Sequence, residues 1–172
     1  MEKINYKIEG IEISLEELCE EIGDLFYDDL ALFLSDLSEE CKNKKIGGCL
    51  KNASTYIEDA WDICEKHTLK GDINSKHTSK IKSINLDNQE LAKKIGNLDK
   101  KELRIFLIFL SLKISRDSYA DKMRGRENLS NSLKGCASSL LEAYEILENE
   151  KEKSSNIKNS IEIKINNLLG LH

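Results

Sequence analysis

The sequence has no proline, no valine and only nine glycines in 172 residues. The turn chemistry and β-branched runs of a sandwich or barrel are therefore missing. Long apolar runs are missing too: the longest block, Ile105 to Leu110, is six residues, far short of a membrane span. Met1 to Ile13 alternates polar and apolar residues where a secretory leader would carry a cationic stretch and then an apolar run. The five cysteines, Cys19, Cys41, Cys49, Cys64 and Cys136, are an odd number without short paired spacing, which predicts reduced thiols in a cytoplasmic protein. No G-x-G-x-x-G, phosphate-loop, G-x-S-x-G or H-E-x-x-H pattern occurs. What is present, 40% hydrophobic and 33% charged residues, suits one globular, mainly all-α domain. A chain of this length buries roughly 70% of its unfolded surface.

Ile4, Tyr6 and Ile8 alternate with polar residues, Glu9-Gly10 makes a turn, and Ile11 and Ile13 resume the alternation. This predicts a β-hairpin over 1–13. Ser14 and Glu17 have capping-box spacing, and the apolar series from Leu15 to Cys41 recurs at three and four, so one helix is expected from Ser14 to about Lys42. Gly47-Gly48 punctuates, and Leu50, Ala53, Ile57, Ala60, Trp61 and Cys64 mark a second helix. The period collapses from Lys66 to Asn85, which reads as a surface connection. Capping pairs Asp87/Glu90 and Asp99/Glu102 then open a short helix ending near Gly96 and a long one from Lys100.

In the long helix, Ile105, Ile108, Phe109 and Leu112 spread apolar surface around most of the circumference, so it is expected to be central or to form a homodimer. A further helix follows Gly125, and the tail 154–172 fits a strand through Ile161, Ile163 and Ile165 as well as a helix through Ile157, Ile161, Ile165 and Leu168, the helix being favoured. Leu50 to Glu65 echoes Leu133 to Glu148, including Trp61 against Tyr144 after an alanine, and Leu30 to Leu37 echoes Leu103 to Leu110. Two pseudo-repeated antiparallel helical hairpins, 14–66 and 99–153, joined by a linker with a short helix over 67–98, are the expected architecture. The first hairpin is read with the short basic turn Lys42 to Gly48, and the second with a longer charged stretch from Ser115 to Asn128.

Charge is very unevenly spread: Ile8 to Cys41 holds twelve Asp and Glu and no Lys or Arg, in a chain of net charge −5. Glu17, Glu20, Glu21, Asp24 and Asp28 fall at three and four on the first helix, a stripe of carboxylates roughly 6 Å apart that repels itself. The sequence offers two uses for it, a solvated face neutralised by the basic segment Lys66 to Lys82, or a surface that docks into a basic groove. Three of the four arginines fall between Arg116 and Arg126, with Arg124-Gly125-Arg126 at the expected helix break, where both guanidinium forks would project toward an anion. Salt bridges to Asp117 and Asp121 are the alternative there. Direct nucleic-acid binding is disfavoured by the net charge and by the lack of aromatics near these arginines, Tyr119 apart. Cys64, His67 and His77 lack a fourth partner at zinc spacing, so no metal or cofactor is expected from them, and Trp61 and Tyr144 read as core.

Glu20-Glu21-Ile22-Gly23-Asp24-Leu25-Phe26 resembles the second acidic motif of the MazG-like, all-α nucleotide pyrophosphohydrolases. Glu17-Leu18-Cys19-Glu20-Glu21 has the form of their E-x-x-E-E motif. The resemblance covers about eight residues and implies magnesium held by carboxylates from two helices, whereas both motifs here overlap on one helix. With no catalytic residue assigned, the expected function is a non-enzymatic interaction module. Such a module would be a small inhibitor, for example a mobile-element antagonist of a host defence nuclease in the anti-CRISPR manner, occupying the basic, nucleic-acid-binding groove of a larger protein. Its candidate partner-binding residues are the five carboxylates of the stripe together with Arg116, Arg124 and Arg126.

Overall fold

A computed structural model describes residues 5–8, 11–66 and 77–169, with side chains described at 7–8, 11–66 and 77–149. The expected hairpin forms: β1 (Asn5–Ile8) pairs antiparallel with β2 (Ile11–Ser14), Asn5 opposite Ser14 and Ile8 opposite Ile11. Its turn, 9–10, lies outside the described residues. Ile8 and Ile13 enter the core. Helix α1 (Leu15–Gly23) opens at the predicted capping box, Glu17 N donating to Ser14 Oγ at 3.2 Å and Ser14 N to Glu17 Oε2 at 3.2 Å. Two orphan amides are thereby satisfied.

The single helix expected from Ser14 to Lys42 is two helices. α2 (Tyr27–Glu40) starts after a break at 24–26, where Leu25 makes a parallel bridge with Thr78. Thr78 N donates to Asp24 O at 2.8 Å and Phe26 N to Thr78 O at 2.9 Å. A returning segment thus supplies the hydrogen bonds that interruption of the helix would otherwise forfeit. The apolar period carries no trace of this, because Leu25 at the break is buried just as a continuous helical stripe would require. Where it is described, the segment is only partly a surface connection: Ser79, Lys80, Lys82 and Asn85 are exposed but His77, Ile81 and Ile84 are buried, while 67–76, with His67, lie outside the described residues.

Helix α3 (Lys44–Lys66) begins before Gly47-Gly48, which therefore does not separate helices as expected. Asn43 Oδ1 accepts from Lys45 N at 2.9 Å, and Gly47 N donates to Asn43 O at 2.9 Å. A Cβ on Gly47 would stand 2.7 Å from the Ser38 carbonyl oxygen, so this glycine serves the close approach of α3 to α2. Helices α4 (Asn88–Gly96) and α5 (Lys100–Met123) form as predicted, with Asp87 accepting from Glu90 N and a complete capping box at Asp99 and Glu102. Gly125, at φ +75°, turns the chain into α6 (Glu127–Leu169), which runs without interruption into the tail as far as Leu169.

Packing proceeds from α4 to α2, α2 to α3, α3 to α6, α6 to α5 and α5 to α1 around one core. Phe33 and Phe106 meet edge to face inside it, with ring centroids 6.4 Å apart. Buried hydroxyls tie neighbouring helices at close range: Ser54 Oγ donates to Ala31 O at 2.8 Å, Ser111 Oγ to Ala137 O at 2.8 Å and Ser118 Oγ to Ser130 O at 2.8 Å. Three residues, 41–43, connect α2 to α3, and three, 124–126, connect α5 to α6, so the second connection is not the longer one. Leu50 and Leu133, Ile57 and Leu140, and Ala60 and Ala143 are buried in both members of each pair, a match that the common helical period is sufficient to produce. Of the apolar excess on α5, Ile105 and Phe109 pack against the core, and Leu112 is exposed.

Candidate functional site

The carboxylates of α1 do not face solvent as a free stripe. Glu17 is engaged in the capping box. Glu20 pairs with Arg116 of α5, and Glu21 Oε2 accepts from Ser83 N at 3.0 Å and Ser83 Oγ at 2.9 Å. Asp24 Oδ1 lies 2.8 Å from Lys113 Nζ, which also donates to Asp117 Oδ2 at 2.6 Å. The Lys113 side chain is only 6% exposed and passes against Gly23, where an added Cβ would stand 2.5 Å from its Cγ. Burial works against the ammonium, but hydrogen bonds to Asp117 and Asp24 outweigh it, so Lys113 titrates above the ordinary lysine value. The long-range pairing of α1 with α5 converts a self-repelling stripe into the clamp between those helices.

The arginine turn is half closed in the same way. Asp121, buried at the end of α5, receives Arg126 Nη1 at 3.4 Å and lies 3.7 Å from Arg124 Nη1. Arg126 N donates to Asp121 O at 2.9 Å, which folds the turn back onto the helix end. The expectation that both forks project is therefore corrected: the Arg126 side chain is 18% exposed and turned onto Asp121, whereas Arg124 is 61% exposed. The physical cause is the buried carboxylate, which needs a cation nearby.

Tyr27 and His77 pack beside this network, ring centroids 4.9 Å apart, and His77 Nδ1 is 2.8 Å from Leu25 O. Burial, with Asp121 adding to it, holds the Tyr27 hydroxyl well above the usual tyrosine range. His77 is thus a buried brace of the helix break, standing in the connecting segment, and Cys64 is buried as expected. All five cysteines are free thiols, and burial pushes those of Cys41 and Cys64 up to about 11, which makes them poor nucleophiles at neutral pH. Trp61 and Tyr144 are partly buried against the core. Among the described residues no group of three or more His, Cys, Asp or Glu is arranged to hold a metal ion, and no helix is long and apolar enough to cross a membrane.

Of the five candidate carboxylates only Asp28 remains exposed without a partner outside its own turn, its Oδ1 accepting from Asp29 N. It belongs to a second set that the regular α1 spacing obscured. Asp28, Asp29, Asp36, Glu39 and Glu40 all lie on α2, and none forms an ion pair among the described residues. Partial burial and then Glu39, Glu40 and Asp87 raise the Asp36 carboxyl above its ordinary value, and burial with Asp28 does the same for Asp29. The last turn of α2 carries no basic residue, so Glu39 and Glu40 also oppose the negative end of the helix dipole. The signal was in the sequence as the same excess of acids. What it lacked was any mark of which half would be neutralised.

No protein-family model, no curated protein and no solved structure matches this chain.

Proposed function

We propose that the protein is a non-enzymatic interaction module whose acidic α2 surface docks into the basic, nucleic-acid-binding groove of a larger protein and thereby inhibits or regulates it. One observation carries the reading: five carboxylates on one helix without ion pairs among the described residues, with Asp36 and Asp29 raised by partial burial and then by neighbouring carboxylates. A cationic groove relieves the repulsion between those carboxylates on binding, and the attraction acts over about 10 Å at 0.1 M salt.

The test starts from capture of the partner with the tagged protein, followed by association rates of the purified pair across a salt series. Reversing Asp28, Asp36 and Glu39 to lysine is expected to slow association roughly tenfold or more at low salt. Arg124→Ala is expected to change it little. Equal binding by the triple variant overturns the reading, and a larger loss from Arg124→Ala replaces it with anion recognition at the turn. Nucleotide turnover separates it from the pyrophosphohydrolase alternative: no pyrophosphate release from nucleoside triphosphates with magnesium is expected. Metal-dependent release that is lost in Glu21→Gln would put the enzyme in its place.

A further inference from the structure

The outer face of α5 and α6 bears exposed apolar side chains, Leu112 at 48%, Tyr119 at 66% and Leu141 at 38% exposure. Leu112 and Leu141 flank the contact between Ser111 and Ala137, so they belong to one patch along the seam of the two helices. A groove of about 380 Å³ follows that seam, lined by Ser111, Ser118 and Ser130 and by Tyr119, Lys134 and Leu141. Its buried hydroxyls are already committed, Ser111 to Ala137 O and Ser118 to Ser130 O. The groove therefore offers little polar recognition to a small molecule and suits the side chains of a packed helix.

The charges beside this face have a symmetry of their own. Lys134, Ser138 and Glu142 follow one another at four-residue intervals on the exposed crest of α6, between the α5 seam and a groove against Asn52, Thr55 and Tyr56 of α3; Glu142 lies beside Cys49, and neither Lys134 nor Glu142 is in an ion pair among the described residues. Ser138 is the midpoint of that row and also of exposed Asn131 and Glu145. When two such rows pack against each other about a two-fold axis, each residue meets the one equally far on the other side of the centre.

We propose that two copies of the chain associate through α5 and α6 about a two-fold axis passing beside Ser138. Lys134 of each copy then meets Glu142 of the other, and Asn131 meets Glu145. The small Ser138 stands at the axis, where the two helices come closest. Leu112, Tyr119 and Leu141 are covered around that centre. The contact leaves α2 free, because α2 packs on α3 and α4. It differs from the dimer expected from the sequence, since Ile105 and Phe109 are spent on the core and only Leu112 of that set is exposed.

Light scattering on the full chain is expected to give about twice 19.6 kDa. Lys134→Glu and Glu142→Lys should each weaken the dimer roughly tenfold or more, because each sets like charges together twice across the axis. The double exchange, Lys134→Glu with Glu142→Lys, should restore it, and helical content by circular dichroism should be equal in all forms. Ser138→Trp should give a monomer by steric overlap at the axis. A monomeric parent at high concentration overturns the proposal. So does a dimer indifferent to either reversal, or a double exchange that fails to recover.

Discussion

Helices α1 and α2 are adjacent in the chain and similarly acidic, yet their carboxylates meet opposite fates. Those of α1 beyond its first turn are taken up, Glu20 by Arg116 and Glu21 by Ser83, and so is Asp24 at its C-cap, by Lys113. Those of α2 form no ion pair among the described residues, and burial together with neighbouring carboxylates raises Asp36 and Asp29. The difference lies in what packs alongside. α1 lies on α5, which brings Lys113 and Arg116 to it, whereas α2 lies on α3 and α4. An acidic run is thus a charged surface only where its tertiary neighbours leave it so, and a carboxylate buried against a cation becomes a structural element.

The sharpest way to break this contrast is Lys113→Ala. It removes the buried ammonium held between Asp24 and Asp117, and a loss of about 3 kcal/mol is expected, the low end for breaking a buried ion pair. Urea unfolding checks it, and a loss below about 1 kcal/mol would mean that the α1 network is solvated like an ordinary surface pair.

Titration separates the two helices at opposite ends of the pH scale. Lys113 is raised in the folded state, so its contribution is complete below its ordinary value of 10.5 and disappears as pH rises through the higher folded value. Asp36 and Asp29 are also raised, but for a carboxyl this means that the folded state takes up protons first. Stability should therefore increase as pH falls through their folded values toward 3.8. Asp36→Asn should remove part of that acid-side gain while leaving the alkaline limb unchanged, as followed by unfolding midpoints across pH.

Two charge reversals sharpen the comparison further. Glu20→Lys opposes Arg116 at a partly exposed site and should cost up to about 1 kcal/mol. Glu39→Lys removes a carboxylate from the wrong end of α2 and should stabilise by roughly 0.5 kcal/mol. Opposite signs for the same substitution type, on helices separated by three residues, are the expected outcome in thermal unfolding.

Much of the fold was legible because its signals are local. The boxes at Ser14/Glu17 and Asp99/Glu102, the turn at Gly125 and the three- and four-residue spacing each act within a few residues, where side chain and backbone meet whatever the rest of the chain does. Gly47 misled for a related reason: the usual reading of paired glycines is a turn, and only the Ser38 carbonyl pressed against it explains a glycine inside a helix. The site was less legible, since spacing ranked the α1 carboxylates above those of α2 without reference to distant cations.

The sequence by itself therefore determined the helices, their caps and their apolar faces, and placed the excess of negative charge in the first quarter of the chain. The tertiary structure decided where helix gives way at 24–26, because only Thr78, far along the chain, supplies the amide and carbonyl that make the break tolerable. It also decided which carboxylates face solvent. A charge is neutralised by whatever lies within a few ångströms, and the 89 positions that separate Asp24 from Lys113 in the chain are closed only by the packing of α1 on α5.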